Sequence, residues 1–340
     1  MFSFISWFVP SIPTWLTPGA IPFHGILQGL VGACGILVLR NLLKVYLFVD
    51  AQSASDAETD RRKKNSSNGG LTEKIQFWIL TVILSFVGSR VASLVVLEFS
   101  LRAISAWIKG ASDPISDPLL LLVQCQFSLG CALSCSLNFL HEEAPRGWLS
   151  LILAVGLSWF LASQFSKLWQ HVKTMYSIHS TQRYCGLCIG LLTTGSSILT
   201  WLSSVLILTF SVSGIAAISN INQHFLSTTE ALRFWTPLTI CYTLLVVYMN
   251  EARHQQPGKQ VLLNTVVVRL GGLFVLLMTV GRWSDVIHVL ICFIGEAACL
   301  LPSQDLLEAI SQARKPDWTK EMGKIRLNLD ENTLEGDKGE

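Results

Sequence analysis

Long apolar runs separated by short polar segments dominate the chain. A helix needs roughly 20 mostly apolar residues to cross about 30 Å of hydrocarbon, and several runs reach that length. Trp, Lys, Arg or Pro lies near their ends, as is typical of segments that end at a membrane interface. The runs are Gly25–Val49, Ile75–Leu97, Leu119–Leu140, Trp148–Phe165, Leu232–Met249 and Val261–Val280, followed by the shorter Ser284–Leu301. This pattern predicts an all-α fold, a polytopic bundle of transmembrane helices.

The number of helices depends on one stretch, from Tyr184 to Ile221. At about 38 residues it is far longer than one crossing requires, even for a tilted helix. It holds either one long helix or two short ones, and the small residues Gly195, Ser196 and Ser197 near its middle favour two. We therefore predict nine membrane helices, with eight as the alternative.

The positions of lysine and arginine predict the orientation, because cytoplasmic loops carry an excess of both. One basic cluster comprises Arg40, Lys44 and Arg61–Lys64, and a second lies in the tail between Arg314 and Arg326. An odd number of helices with an external N-terminus places both clusters in the cytoplasm. The loop predicted over Ser166–Arg183 contains two lysines and is then external, which makes it the weakest point of this topology.

Three segments flank or interrupt the predicted transmembrane domain at 25–301. Residues 1–24 contain prolines and lack a basic start, so we predict an interfacial segment rather than a cleaved signal peptide. The loop at 50–74 and the tail at 302–340 are polar, and we expect both to be flexible and cytoplasmic. The loop contains the glycosylation sequon Asn65-Ser66-Ser67, which should remain unmodified in the cytoplasm.

Composition agrees with a membrane protein and excludes several functions. The chain has 51% hydrophobic and 14% charged residues, whereas soluble domains carry about 25% charged residues. Its basic residues lie in short loops rather than on one face, so nucleic acid is excluded and the lipid bilayer is the expected partner. The sequence contains no phosphate loop, dinucleotide-binding Gly pattern, Gly-x-Ser-x-Gly or His-Glu-x-x-His motif. We therefore predict neither a cofactor nor enzymatic activity, and nothing indicates which membrane the protein occupies.

One short motif, Cys185–Cys188, has the spacing of a metal or redox site. Structural zinc takes four ligands and the chain has no second pair of this kind, so no metal site is predicted. Gly186 and Gly190 have the spacing of a close helix-packing face, as do Gly25 and Gly29 in the first run. Packing against other helices is the favoured role of these glycines, and a chemical role for the two cysteines is left open.

Ionisable residues inside the apolar runs are the candidate functional residues, because each costs about 2.5–3.5 kcal/mol at the bilayer centre. Arg90, Arg269 and Glu296 form the primary candidate polar site. The residues nearer the ends of the runs are secondary: Glu98, Arg102, Asp285 and His288. Glu98 and Arg102 are four positions apart on one helical face, so we expect them to pair.

Arg269 and Glu296 each lie about 13 residues from a predicted chain reversal at Arg282-Trp283, roughly 20 Å along a helix. An antiparallel hairpin then brings both to one depth, and we predict that they are in contact. Arg90 has no local partner, so we expect it to face the interior of the bundle and meet a carboxylate, or carbonyl groups, from another helix. The candidate partners on the third predicted helix are Gln124, Gln126 and Asn138.

Several strings in the chain resemble the transmembrane protein 82 family. They are Gly88–Arg102, Gln182–Gly186, Arg233–Tyr242 and Gly271–Leu277. The resemblance covers most of the chain between the first and last predicted helices, but not the first loop or the tail. It implies a multi-pass membrane protein and brings no substrate, reaction or catalytic residue.

Two functional hypotheses follow from the candidate polar site. In the first, the protein is transporter- or channel-like, and Arg90, Arg269 and Glu296 line a site for a small solute, an anion because two of the three are arginines. In the second, the protein is a membrane scaffold, and the charges only fix the helices relative to one another. A cavity reaching Arg90 or Arg269 favours transport, whereas a dry and fully paired interior favours the scaffold.

Overall fold

The computed structural model describes most of the region from residue 23 to residue 303. The described residues are 23–54, 69–110, 118–143, 147–182, 185–223, 228–229, 231–232, 234–240, 242–243, 259–280, 283–300 and 303. Within them the helices are α1 (Phe23–Ala54), α2 (Gly69–Phe86), α3 (Ser89–Gly110), α4 (Pro118–Gln124), α5 (Gln126–Glu143), α6 (Gly147–Gln182), α7 (Gly186–Asn222), α8 (Lys259–Val280) and α9 (Trp283–Leu300). Further helical residues lie between 228 and 243.

The bundle is built around α1, which packs against α2, α5 and α6, while α3 packs against α5 and α7, and α9 packs against α8 and α2. Small residues allow the close approach of α1 to its neighbours. A Cβ atom at Gly29 would lie 2.4 Å from Ser85 Oγ in α2, and one at Gly32 would lie 2.9 Å from the Gly130 carbonyl oxygen in α5. These contacts bury one face of α1 in the main apolar core.

Four described helices are long and apolar enough to cross a membrane. They are His24–Asp50, Leu149–Tyr176, Thr193–Asn222 and Trp283–Leu300. The pair formed by α2 and α3 adds a fifth candidate if it is counted as one broken span. The all-α class and the apolar helices of the prediction are therefore confirmed, and four or five membrane-spanning segments are supported within the described ranges.

The stretch predicted as two short helices is one helix, α7, of 37 residues. Gly195 does not break it, because a glycine costs only about 1 kcal/mol in a helix interior, and apolar helical residues continue beyond the small polar segment on both sides, as at Leu191 and Leu199. Gly195 instead brings α7 close to α1, since a Cβ atom there would lie 3.1 Å from Val49 Cγ1. The small residues mark a packing contact rather than a turn.

The run predicted as a single helix over Ile75–Leu97 is broken into α2 and α3, whose axes are bent by 108°. Gly88 lies between them with φ of +75°, a left-handed conformation that costs side-chain-bearing residues about 1–2 kcal/mol. The run over Leu119–Leu140 is also interrupted, by a turn at Cys125 between α4 and α5.

The loop predicted over Ser166–Arg183 is helical as far as Gln182, because α6 continues without interruption beyond its apolar run. Asn41 Nδ2 in α1 donates to Ser166 Oγ, at 3.1 Å, and further along both helices Phe48 packs edge-on against Trp169. The two helices are therefore parallel, and both lead to the same face of the bundle. The prediction of a loop there, on the side opposite the first loop, was wrong.

Contacts between helices show which of their ends share a face. We call the face where α1 ends and α2 begins the loop face, and there Lys44 Nζ lies 2.6 Å from Glu73 Oε1. Helix α3 starts near the opposite face and runs back toward the loop face. Ser93 Oγ, near its start, contacts Cys135 Sγ in α5 at 3.2 Å, whereas Arg102, nine residues further on, contacts Gln124 at the end of α4. The helices α2 and α3 thus leave the loop face and return toward it.

Candidate functional site

Four charged residues from three helices meet inside the bundle, and we call them the ion-pair cluster. Glu98 and Arg102 come from α3, Arg269 from α8 and Glu296 from α9. Their side chains are only 2–7% exposed. Two arginines and two carboxylates give the cluster no net formal charge, which removes most of the cost of burying each charge alone.

Arg269 is the centre of the ion-pair cluster. Its Nη2 atom donates to Glu296 Oε1, and its Nε atom lies 3.2 Å from Glu98 Oε2. The other oxygen of Glu98 lies 3.4 Å from Arg102 Nε within α3. Arg102 Nη1 in turn donates to Gln124 Oε1, at 2.6 Å, so the last residue of α4 is also connected to the cluster.

Two of these contacts were predicted from spacing alone and are confirmed. Glu98 and Arg102 pair one helical turn apart, and Arg269 contacts Glu296 as expected for an antiparallel hairpin of α8 and α9. The participation of Glu98 in the Arg269 pair was not predicted, since nothing in the sequence indicates that α3 lies against that hairpin. The predicted reversal at Arg282-Trp283 lies partly outside the described residues.

Not all of the close charged atoms form hydrogen bonds. Both oxygens of Glu98 and the Nε atom of Arg269 are buried without hydrogen-bond geometry to any partner, although opposite charges lie 3.2 to 3.4 Å away. Desolvation of such groups offsets much of their Coulomb attraction, so a buried ion pair is a weak source of net stability. Its stronger effect is on arrangement, because a partner left alone would be a buried unpaired charge.

Arg90 is separate from the ion-pair cluster. Its Nη1 atom lies 3.2 Å from Asp285 Oδ2, near the opposite face of the bundle. The expected partners on the third predicted helix were wrong: Gln124 binds Arg102 and Gln126 binds Arg40, while α9 supplies the carboxylate. Asp285 lies in the first turn of α9, where the helix dipole favours a negative charge.

The structure therefore divides the candidate polar site into two. Arg269 and Glu296 lie together, whereas Asp285, the partner of Arg90, is 11 residues before Glu296 in α9, about 16 Å along the helix axis. His288 lies on the Arg90 side, because a Cβ atom at Gly88 would be 3.1 Å from His288 Nδ1. The break between α2 and α3 thus lies against α9.

A further buried arginine, Arg40 in α1, was treated in the sequence only as part of the basic cluster. Its Nη1 atom donates to Gln76 Oε1 at 2.6 Å, and its Nη2 atom donates to Gln126 Oε1 at 3.4 Å. Gln76 also donates to the Ala298 carbonyl oxygen, and Gln126 donates to Ser303 Oγ. These contacts connect α1, α2, α5 and α9. The position of Arg40 inside an apolar run, where a charge is costly, could have identified it as a candidate residue from the sequence.

The Cys185–Cys188 motif lies beside a histidine that the sequence did not single out. His171 Nε2, in the second half of α6, lies 3.5 Å from each of the two sulfurs. The pKa of the Cys185 thiol is lowered, chiefly because the backbone amides of Cys188 and Leu187 face it, and this thiol precedes the apolar span Thr193–Asn222. Spacing alone could not indicate this group, since His171 is 14 positions before Cys185.

Long apolar helices and compensated charges inside the bundle define the class of the protein as a helical integral membrane protein. The family described as Transmembrane protein 82 matches residues 23–321. The chain belongs to the transmembrane protein 82 family, as the resemblance of its sequence strings indicated. Comparison with solved structures finds no match.

Proposed function

We propose that the protein is a membrane scaffold in which the ion-pair cluster fixes α3, α8 and α9 relative to one another. The observation that carries this proposal is the burial of two arginines and two carboxylates that neutralise one another, with side chains only 2–7% exposed. A solute-binding arginine has to exchange its ligand with water, whereas Arg269 is already occupied on two sides by Glu98 and Glu296.

Helices in a membrane gain little from apolar contact alone, because lipid tails are as apolar as their side chains. Charged groups that must find each other inside the bundle therefore specify which faces meet. The ion-pair cluster does this for three helices that are distant in sequence, and Arg40 does it for α1, α2 and α5. The exposed apolar faces of α6 and α7 then remain for lipid or for partner helices.

A second candidate function is transport of a small anion, and one observation favours it. Discontinuous helices often form the substrate sites of transporters, and the break between α2 and α3 lies beside Arg90, whose side chain is 18% exposed. In this alternative Arg90 exchanges Asp285 for an anion, and Arg269 and Glu296 remain structural. The Arg90 pair, rather than the ion-pair cluster, is the residue pair to test.

The proposed topology has nine membrane-embedded segments. Seven cross the bilayer: α1, α4 with α5, α6, α7, the predicted segment Leu232–Met249, α8 and α9. The other two, α2 and α3, enter from the loop face and return to it. In this arrangement the basic first loop, the C-terminal part of α6 and the tail lie on one side, as expected from the excess of lysine and arginine in cytoplasmic segments.

Reconstitution of the purified chain into liposomes separates the two functions. For the scaffold we expect uptake of chloride, phosphate and small carboxylates no faster than in protein-free liposomes. Saturable uptake would overturn the scaffold and support transport if Arg90→Gln abolishes it. In that case the fraction of Arg269→Met that still folds should retain the uptake.

Thermal unfolding in detergent tests the structural role of the ion-pair cluster directly. We expect Arg269→Met to destabilise the fold by about 3–5 kcal/mol, because two buried carboxylates, Glu98 and Glu296, are then left with Arg102 as the one cation of the cluster. The double variant Arg269→Met with Glu296→Leu should regain a large part of that loss, since Glu98 then keeps Arg102. Equal stability of Arg269→Met and the unchanged chain would contradict the proposed lock.

A further inference from the structure

Three side chains with metal-binding atoms converge where α6 meets the start of α7. The sulfurs of Cys185 and Cys188 and one ring nitrogen of His171 all lie within 4.8 Å of one another. Cys185 is the residue before α7 and Cys188 lies in its first turn, so both thiols project from the beginning of one helix. His171 is on a different helix, and the group therefore connects two elements.

The separations agree with those that a zinc ion imposes on its ligands. With bonds of about 2.3 Å to sulfur and 2.0–2.1 Å to nitrogen, tetrahedral geometry places the sulfur and nitrogen about 3.6 Å apart. Both sulfur–nitrogen distances here are 3.5 Å. The two sulfurs lie within 4.8 Å of each other, against about 3.8 Å for two sulfurs on one tetrahedral zinc, so the three atoms can bind one ion after a side-chain adjustment of at most about 1 Å.

The surroundings of Cys188 are apolar, whereas His171 and Cys185 are partly exposed at the edge of the group. Val45 and Val49 from α1, together with Val172 and Tyr176 from α6, form a small apolar cluster that includes Cys188. Phe48 and Trp169 pack against this cluster. An apolar shell of this kind limits access of water and supports the ligands of a metal site.

Packing within the described part of the bundle does not account for the motif. A Cβ atom at Gly186 or Gly190 would meet no atom within 4 Å, so among the described residues neither glycine serves as a contact point with another helix. Gly29 differs, because it is tightly enclosed by α2. Contacts of the neighbouring glycines therefore do not explain why two thiols occur at this position.

We propose that His171, Cys185 and Cys188 bind one zinc ion at the loop face of the bundle. Both thiols lose their protons to solvent on binding, the imidazole binds through Nε2, and water or an incoming ligand completes the fourth position. The site would join the second half of α6 to the start of α7. It is independent of the scaffold proposal, because none of its residues contacts the ion-pair cluster in the described structure.

The experiment uses the full chain in detergent, reduced and stripped of metal with a chelator. Addition of Zn²⁺ alone should give one bound ion per chain by elemental analysis. Co²⁺ in its place should show a thiolate charge-transfer band and the intense visible bands of a tetrahedral ion. His171→Gln and Cys188→Ser should weaken binding by more than the roughly 10- to 100-fold that loss of an outer-shell partner causes.

Cys34→Ser is the matched control, since Cys34 is a buried cysteine on α1 outside the group, and it should bind zinc like the unchanged chain. A second measurement needs no variant: zinc should slow alkylation of the partly exposed Cys185 in the unchanged chain, as read by peptide mass spectrometry. The proposal is overturned if the reduced chain binds no zinc, or if His171→Gln binds it with unchanged affinity. It is equally overturned if zinc leaves the alkylation rate of Cys185 unaltered.

Discussion

At the scale of single residues, the space available to one methyl group distinguishes two kinds of glycine in this bundle. Beside Gly29 the backbone carbonyl oxygen of Thr81 lies 2.6 Å from where a Cβ atom would be, whereas no atom lies within 4 Å of that position at Gly186. Only the first glycine is therefore required for the approach of two helices, although both belong to small-residue patterns in the sequence.

We expect Gly29→Ala to destabilise the protein by about 1–3 kcal/mol, as overpacking of a close contact does. Ser85 Oγ can rotate away, but the Thr81 carbonyl oxygen belongs to the backbone of α2 and moves only with the helix. The measurement is the thermal unfolding midpoint in detergent. Gly186→Ala is the matched control and should leave the midpoint unchanged or raise it slightly, because alanine favours a helix more than glycine does. Equal midpoints for the two variants would show that α1 and α2 do not pack as described.

Residue spacing predicted the pairs Glu98 with Arg102 and Arg269 with Glu296, because each depends only on regular helices or on a short reversal. It could not predict the partner of Arg90. The direction of α3 is set by one left-handed glycine, and a change of 108° there moves Arg90 toward α9 rather than α5. His171 was missed for a similar reason, since its neighbours come from a helix that begins after the chain turns.

At the scale of elements, the feature with most consequence is the break at Gly88. Ala92 N–H donates to the Gly88 carbonyl oxygen at 3.0 Å, so α3 is hydrogen-bonded from its first turn and the change of direction is confined to the residues before it. The left-handed φ of Gly88 and the nearby imidazole of His288 both restrict what can replace this residue.

Gly88→Ala should therefore lower the free energy of unfolding by about 1–2 kcal/mol, because alanine disfavours the left-handed backbone. The contact of the added methyl group with His288 should lower it further. Gly156→Ala is its control: Gly156 lies in α6 with no atom within 4 Å of an added Cβ, so alanine there should be neutral or stabilise by up to about 1 kcal/mol. Unfolding by stepwise addition of SDS measures both variants. A stabilising effect of Gly88→Ala would indicate that α2 and α3 form one continuous helix.

The apolar runs predicted where helices occur but not where they are interrupted. Hydropathy averages over about 19 residues, so a single conformational exception such as Gly88 leaves the pattern apolar. A break was predicted at Gly195 for a different reason, because the stretch is longer than one crossing requires and small residues lie near its middle, although glycine in a helix also serves as a close contact. Helix α6 extended beyond its apolar run because polar residues such as Lys173 and Gln182 are good or tolerable helix formers.

At the scale of the whole molecule, the parallel course of α1 and α6 and the return of α3 bring the C-terminal ends of these three helices to the loop face. With a single helix α7, an uninterrupted α2–α3 span would give an even number of crossings and place one basic cluster outside. In the proposed topology the return of α3 restores an odd number of crossings. Charge distribution and helix contacts therefore favour the same topology, although they are independent observations.

This topology predicts that the loop face is cytoplasmic, and Asn65 in the first loop reports on it. N-linked glycosylation takes place on the luminal side, so the sequon at Asn65 should remain unmodified in cells, and an endoglycosidase should cause no mobility shift. Insertion of a flexible segment carrying the same Asn-Ser-Ser sequon after Gln223, at the end of α7, provides the control. That site is on the opposite face and should be glycosylated. Modification of Asn65 together with an unmodified insertion would mean that the whole bundle is inverted, because α1 and α7 are antiparallel and cannot change sides separately.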